Sequence, residues 1–355
     1  MELWLADGPW TAAVMVAAID AGLVDVDTDR VLLVASCAEV PEVAHWWTDE
    51  PPAFLDGRFR AVLDLNAAME PYHPAHYAPP SRNKHDLVDA IVAAFGAHDV
   101  TRLVVPSLTA RPASTLLDLF TTSPVTLFSC DVAAWTRDLP PAPASVAFRV
   151  TGHLAVPLVP GARMPRLGLE FDPEEIPASA VAATVPDDAS IHPDGLVIAD
   201  TDPFLPDALE RTAAAAALLA AAGCASVAVA LAHPGHDSRH TDVRLALAAQ
   251  GTDVDVIGWG PRALAAAARP GVRTLGAGST ALLATAMLGA RAAAAVRDAD
   301  TDAVMMRDID DEAAAAMLPM HRQRVAARTA PPTPSVPRPR GLRRIARGLR
   351  RRLPG

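Results

Sequence analysis

The stretch ELWLADGPWTAAVMVAAIDAG, residues 2–22, sets the pattern that the rest of the chain is read against. Its apolar run Glu2–Ala6 predicts a short strand, ended by Asp7-Gly8-Pro9-Trp10. Pro9 suits the first position of a helix, where its missing N–H has no partner to lose. The apolar residues then continue to about Ala21, and Gly22 stops the helix. A strand that turns directly into a helix is half of a βαβ unit.

The unit recurs. Val31–Ala35 is a continuous apolar run, the pattern of a strand covered on both faces. Further strands are expected at Arg60–Leu65, Arg102–Pro106 and Pro124–Ser129, with helices at His85–Ala97 and Ala113–Thr121. After a Pro-rich stretch with weak periodicity, 139–193, alternation resumes. Strands are expected at Leu196–Ala199, Ser226–Leu231, Val254–Ile257 and Val272–Leu275. Helices are expected at Leu205–Ala222, His240–Gln250, Pro261–Ala268, Thr280–Leu288 and, later, about Asp311–Arg328. Such alternation predicts α/β architecture with parallel sheets covered by helices. Two consecutive doubly wound halves suggest the two-Rossmann architecture that nucleotide-sugar transferases share with many unrelated enzymes.

Composition narrows the class. Of 355 residues, 51% are apolar, enough for a full core, and the length suits two domains. Cys37, Cys130 and Cys224 are far apart, so neither a disulfide framework nor a cysteine zinc site is expected. That usage fits a reducing cytoplasm, and Glu2 and Asp7 interrupt any signal-peptide pattern. Thr212–Ala232 carries no charge, yet Gly223-Cys224-Ala225-Ser226 breaks it into a helix, a turn and a buried strand rather than a membrane span. The net charge of −10 is uneven: His321–Gly355 holds eleven arginines and no acid, which leaves −21 on the rest. Only the tail suits anionic partners, and no specific nucleic-acid contact is expected.

Three places carry chemistry. Gly276-Ala277-Gly278-Ser279-Thr280 joins an apolar strand to an Ala/Leu helix. A helix N-terminus offers unpaired N–H groups, glycines admit a phosphate, and Ser279 and Thr280 add hydroxyl donors; alternatively, Ser279 only caps the helix. Leu231-Ala232-His233-Pro234-Gly235 ends a strand, where ligands of open α/β sheets bind. His233 there can donate to a phosphate or act as an acid, and Pro234 holds it extended; the plain alternative is a surface histidine. His233, His236 and His240 have helical spacing, but Pro234 argues against a continuous helix, so no metal is assigned. Asp200-Thr201-Asp202 and Asp300-Thr301-Asp302 read as solvated turns.

The opening Leu3–Trp10 segment, the strand ending in His233-Pro234, and the Ser279-Thr280-Ala281-Leu282-Leu283 helix start some forty-five residues on resemble, in order and spacing, the bacterial polysialyltransferases and related capsule sialyltransferases. The resemblance spreads over most of residues 1–300. It implies a GT-B fold, two Rossmann-like domains with parallel sheets facing a cleft. The boundaries expected are 1–138 for the acceptor-side domain, 139–193 for an irregular connection, 194–330 for the nucleotide-sugar domain and 331–355 for a basic tail. It implies inverting transfer of sialic acid from CMP-sialic acid to a glycan acceptor, without metal or other cofactor. His233, Pro234, Gly278, Ser279 and Thr280 then bind the donor phosphate, with His233 catalytic. The family's acidic-acidic-Gly base motif corresponds to Cys130-Asp131-Val132, which keeps only the central acid; Asp131 is the base or a turn cap. Pro193-Asp194-Gly195 keeps an Asp-Gly pair but looks like a plain turn. A transferase using another nucleotide donor, or a noncatalytic binder of nucleotide sugar or glycan, remains open beside this reading.

In the tail, Leu342, Ile345, Ala346, Leu349 and Leu353 recur at helical spacing, with Arg343, Arg344, Arg347, Arg350 and Arg351 around them. Residues 341–353 therefore suit the surface of an anionic membrane, placing the protein in the cytoplasm at its inner face. Co-sedimentation checks this: the full chain is expected to sediment with anionic vesicles and a form ending at Thr329 is not, whereas equal sedimentation removes the tail as an anchor.

Overall fold

The computed structural model describes residues 1–25, 27–37, 53–70, 72–77, 83–95, 99–131, 142–158, 169–185, 192–199, 206–231, 237–258, 271–277 and 291–296, together with 263, 266, 269, 284 and 287. In the first half the elements are β1 (Glu2–Ala6), α1 (Pro9–Asp20), β2 (Arg30–Val34), β3 (Ala61–Asp64), α2 (Leu65–Met69), α3 (Lys84–Phe95), β4 (Arg102–Val105), α4 (Ala113–Leu119), β5 (Val125–Ser129), α5 (Ala144–Ala147), β6 (Val150–Ala155), β7 (Glu174–Glu175) and α6 (Ala178–Thr184). The second half continues with β8 (Gly195–Ala199), α7 (Pro206–Ala221), β9 (Val227–Leu231), α8 (Asp237–Ala249), β10 (Asp255–Gly258), β11 (Arg273–Ala277) and β12 (Arg291–Val296).

Two parallel sheets result. The first runs β3-β2-β1-β4-β5-β6-β7 and the second β10-β9-β8-β11-β12. In each, successive strands are laid outward to one side and the chain then returns to build the other side. That is the doubly wound, Rossmann-like order, and each sheet has one switch point, between β1 and β4 and between β8 and β11. The α/β expectation holds in both halves. Thr212–Ala232 resolves, as read, into the end of α7, a turn and β9. Helices α1 and α7 both stop where a glycine takes the left-handed conformation, Gly22 at φ 72° and Gly223 at φ 89°. In each, the glycine N–H bonds three residues back and the next N–H five back, the paired closure that releases the chain from a helix.

The expectation of an irregular connection over 139–193 is corrected in its middle. β6 hydrogen-bonds to β5 and β7 to β6, so residues 150–155 and 174–175 extend the first sheet, and α6 follows them. Gly152 hid the strand, because a glycine inside a strand pattern reads as a break. It stands where an added Cβ would lie 3.2 Å from the Thr126 hydroxyl oxygen, so a side chain there would press on β5. β12 was also unread: its four alanines have no strand preference, and pairing with β11 overrides that. Ala263, Ala266, Ala284 and Met287 are helical, at places where helices are expected. The helix expected at 311–328 and the basic tail lie outside the described residues.

The core forms on both faces of the first sheet. α1 has no polar stripe, and every residue from Pro9 to Ile19 is buried. One continuous apolar cluster runs from Trp4 and α1 through Val181 and Val185 to Leu196, Ile198, Ala228 and Ala230 of the second sheet. At the amino ends of the strands a buried ion cluster ties three neighbours. Glu2 pairs with Arg30 of β2 at 3.4 Å and with Arg102 of β4 at 3.2 Å, and accepts the Trp4 indole N–H at 3.1 Å. Among the described residues Arg30 Nε and Nη2 have no hydrogen-bond partner, but the guanidinium lies 5.9 Å from the centre of the Trp4 ring.

Arg30→Ala is expected to cost about 3 kcal/mol, the low end for a broken buried pair, because it removes the buried partner of Glu2 and leaves only the half-exposed Arg102 opposite it. Arg102 is half exposed, and its removal is expected to stay within about 1 kcal/mol. Urea unfolding followed by circular dichroism checks both.

Candidate functional site

Parallel α/β sheets place their ligands outside the carboxyl ends of the strands, at the switch point. In the first sheet that point adjoins Ala6, the last residue of β1, and the residue that follows is Asp7. Gly8 is extended, at φ −178°, and Pro9 starts α1, so the chain leaves the strand, exposes one acid and turns at once into the helix. The Thr11 hydroxyl, one helical turn on, donates to Asp7 Oδ1 at 2.5 Å. Thr11 in turn accepts the Cys130 thiol at 3.7 Å, and the Trp10 indole N–H donates to the Cys130 carbonyl at 2.6 Å. The start of α1 and the end of β5 are thereby bolted together across β4. Asp131, the next residue, is half-buried.

Asp7 has solvent-exposed surface, yet protein crowds round it on most sides. Desolvation raises its pKa above the ordinary carboxylate value, and the bonds from Thr11 and from its own backbone N–H offset this only in part. Cys37, after β2, is likewise exposed at its surface, and desolvation followed by the Asp7 charge pushes its thiol up to about 12. Cys130 is fully buried; desolvation first, then the Asp131 and Asp7 carboxylates, push its thiol well up. Both shifts disfavour the thiolate, the form in which a cysteine is a nucleophile. The two acids therefore share one neighbourhood at the carboxyl end of the sheet.

The flanks are built by tight polar ties. Asp64, ending β3, caps α2 by accepting the Asn66 and Ala67 N–H groups at 2.8 and 3.2 Å. The Asn66 amide closes a pair with the Ser36 backbone, at 2.8 and 3.1 Å, which joins the end of β2 to α2. Ser129 and His153 meet at 2.8 Å, but both are buried, and desolvation lowers His153 to about 4. Substrate has no path to this pair, and it serves as packing between β5 and β6.

Of the site residues expected from sequence, Asp131 lies at the carboxyl end of β5. His233, Pro234, Gly278, Ser279 and Thr280 lie outside the described residues. The strands that lead to them end at Leu231 and Ala277, on either side of β8. Asp194 is the plain turn it resembled. Its carboxylate accepts the Ala225 N–H at 3.1 Å and its carbonyl the Arg273 N–H at 3.0 Å, at the amino end of β8, away from any ligand position. Asp7 was the residue missed: Asp-Gly-Pro reads as a turn, and only the position of β1 beside the switch point reveals what the acid faces.

No protein-family model matches this sequence, and no curated protein matches it. Among solved structures, the chain is similar to UGT89C1 of Arabidopsis thaliana complexed with UDP-L-rhamnose, with a TM-score of 0.41 and 13% identity over 86% of this chain and 81% of that one. It is similar also to a UDP-glucose:anthocyanidin 3-O-glucosyltransferase in complex with UDP, with a TM-score of 0.41 and 9% identity over 93% and 95%. A third is a glycosyl transferase family 9 structure from Veillonella parvula, with a TM-score of 0.38 and 10% identity over 81% and 78%. At these values the strand orders alone carry the fold.

A raised pKa at Asp7 means that the folded chain holds a proton there more tightly than the unfolded chain. Ionisation at Asp7 therefore removes stability as pH rises from the unfolded carboxylate range through the folded value. Asp7→Asn, which keeps an acceptor for Thr11, is expected to melt above the native chain at neutral pH, with the gap closing toward acid pH. Calorimetry between pH 3 and 8 checks it.

Proposed function

We propose that the protein is a glycosyltransferase that takes its sugar from a nucleotide donor. In this reading the second half binds the donor, and the carboxylates at the switch point of the first half activate the acceptor. The observation that carries it is the pairing of two doubly wound sheets with an acid placed directly at the first switch point.

The chemistry needs a base for the acceptor hydroxyl and neutralisation of the departing phosphate. Asp131 is the base that the resemblance to polysialyltransferases implies. Asp7 is a second carboxylate in the same neighbourhood, and desolvation moves its pKa toward the range in which a general base works best at neutral pH. Cys130 stands where the family's motif has its first acid, and in this reading the Asp7 carboxylate takes that acid's place. On the donor side, β9 and β11 end one strand to either side of β8, about 10 Å apart. That spacing supports His233 and Pro234 meeting Gly278, Ser279 and Thr280 around one phosphate. CMP-sialic acid is the donor, transfer is inverting and needs no metal, a glycan is the acceptor, and residues 341–353 hold the enzyme at an anionic membrane.

The altered base motif also favours a second reading, a noncatalytic binder of the same ligands. One experiment separates them. CMP at about 100 times Kd is expected to stabilise the chain by about 2.7 kcal/mol, seen as a rise in melting temperature that UDP and CDP do not match. Turnover of CMP-sialic acid is expected to fall by about 10²-fold or more in Asp131→Ala and in Asp7→Asn, with CMP binding retained. A larger shift with UDP moves the donor assignment. Binding without turnover in the native chain leaves the binder, and no shift with any nucleotide removes the transferase.

A further inference from the structure

Both tyrosines of the chain, Tyr72 and Tyr77, lie in one six-residue stretch, Tyr72-His73-Pro74-Ala75-His76-Tyr77. Their rings stack with centroids 4.0 Å apart and 18° between planes. The His73 and His76 rings lie 4.9 Å apart beside them. Tyr72 is 46% exposed, and only Phe148 and Leu245 among the described large hydrophobics share that exposure. An aromatic pair stacked at the surface keeps apolar area in water that burial would have removed.

The stretch is tied by hydrogen bonds while Tyr72 and His76 stay exposed. The Tyr72 N–H bonds to the Met69 carbonyl at 2.8 Å and the Tyr77 N–H to the His73 carbonyl at 2.8 Å. His73 Nδ1 accepts the Ala75 N–H at 3.1 Å. The Tyr77 carbonyl accepts the Thr115 hydroxyl at 3.1 Å, and the His76 carbonyl accepts Arg111 Nη1. Arg111 itself is exposed. These bonds also fix the location. Residues 72–77 follow α2, which begins at the carboxyl end of β3, while Arg111 belongs to the β4–α4 connection on the switch-point side and Thr115 to the first turn of α4. The platform therefore borders the same end of the sheet as Asp7.

Its chemistry is selective. With Tyr77 stacked behind it and packed on the core, the exposed Tyr72 ring offers its outer face to the C–H side of a pyranose, and imidazoles and a guanidinium at the rim offer hydrogen bonds to hydroxyl or carboxylate groups. Pro74 is buried, so the stretch presents rings and polar edges rather than aliphatic side chains. Arg111 is also a cation within a chain of net charge −10, which suits a sugar carrying a carboxylate.

We infer that Tyr72, Tyr77 and Arg111 form a glycan-binding subsite that holds the acceptor chain beside the first switch point. This rests on the transferase reading for its role as an acceptor site, but the binding itself does not depend on turnover.

The test is saturation-transfer NMR with titration, using oligosialic acid and the neutral maltotetraose as probes, on the full native chain, Tyr72→Ala and Tyr72→Phe. Melting curves with and without CMP are recorded in parallel, and unliganded melting confirms that the variants fold. At least one probe is expected to bind the native chain. Affinity is expected to fall about tenfold or more in Tyr72→Ala and to hold in Tyr72→Phe, with the CMP shift equal in all three. Equal glycan affinity in Tyr72→Ala overturns the subsite, as does failure of both probes on a native chain that still responds to CMP. Glycan binding lost in Tyr72→Ala on a chain that responds to no nucleotide upholds the subsite and removes the transferase. No response to probe or nucleotide overturns both.

Discussion

A helix with no wet side constrains everything round it. Each residue of α1 from Pro9 to Ile19 is buried, so a cover is required on all faces, and no single sheet can supply that. β1 and its neighbours cover one side, the turn at Ala53–Leu55 a second and α6 another. The alanines at 12, 13, 17 and 18 keep the helix thin enough for these layers to close, and a larger residue at any of them costs about 1–3 kcal/mol in overpacking. The apolar cluster that begins on this helix continues into the second sheet, so the two halves share part of one interior. That is why the chain returns α6 to the first half before starting β8.

The same helix sets the chemistry. Because its first turn is fixed by burial, Trp10 and Thr11 can reach Cys130 and Asp7 with short, fixed bonds. Acid groups from the ends of β1 and β5 are held together by packing beneath them rather than by each other. Both lie near the Cys130 thiol, while Arg30 and Arg102 are spent on Glu2 at the opposite end of the sheet. Asp7 at the carboxyl end is thereby left partly desolvated, which raises its pKa.

How much of this the sequence disclosed follows from what each residue signals locally. Val31–Ala35 and Pro124–Ser129 were legible because continuous apolar runs have few other uses, and Gly22 because it stands where the periodicity ends. β6 escaped because Gly152 answers to Thr126 on another strand, a contact that has no local sign. β12 escaped because alanine is neutral between fates until a partner strand decides. The site divides the same way. Asp131 was singled out through a resemblance to a motif, whereas Asp7 stood within a turn signal and its place at the end of β1 shows only from the strand order. The aromatic platform was unread because its neighbours, Arg111 and Thr115, lie more than thirty residues away.

The pairing of the chain's two tyrosines has a practical side. Ring-labelled tyrosine introduced into the whole protein reports from two positions, and both lie on the same six residues. Their stacking at 4.0 Å places each in the other's ring current, so a change at one ring moves both signals. A chain of this size thus carries a spectroscopic window on one small patch of its surface, free of background from the rest.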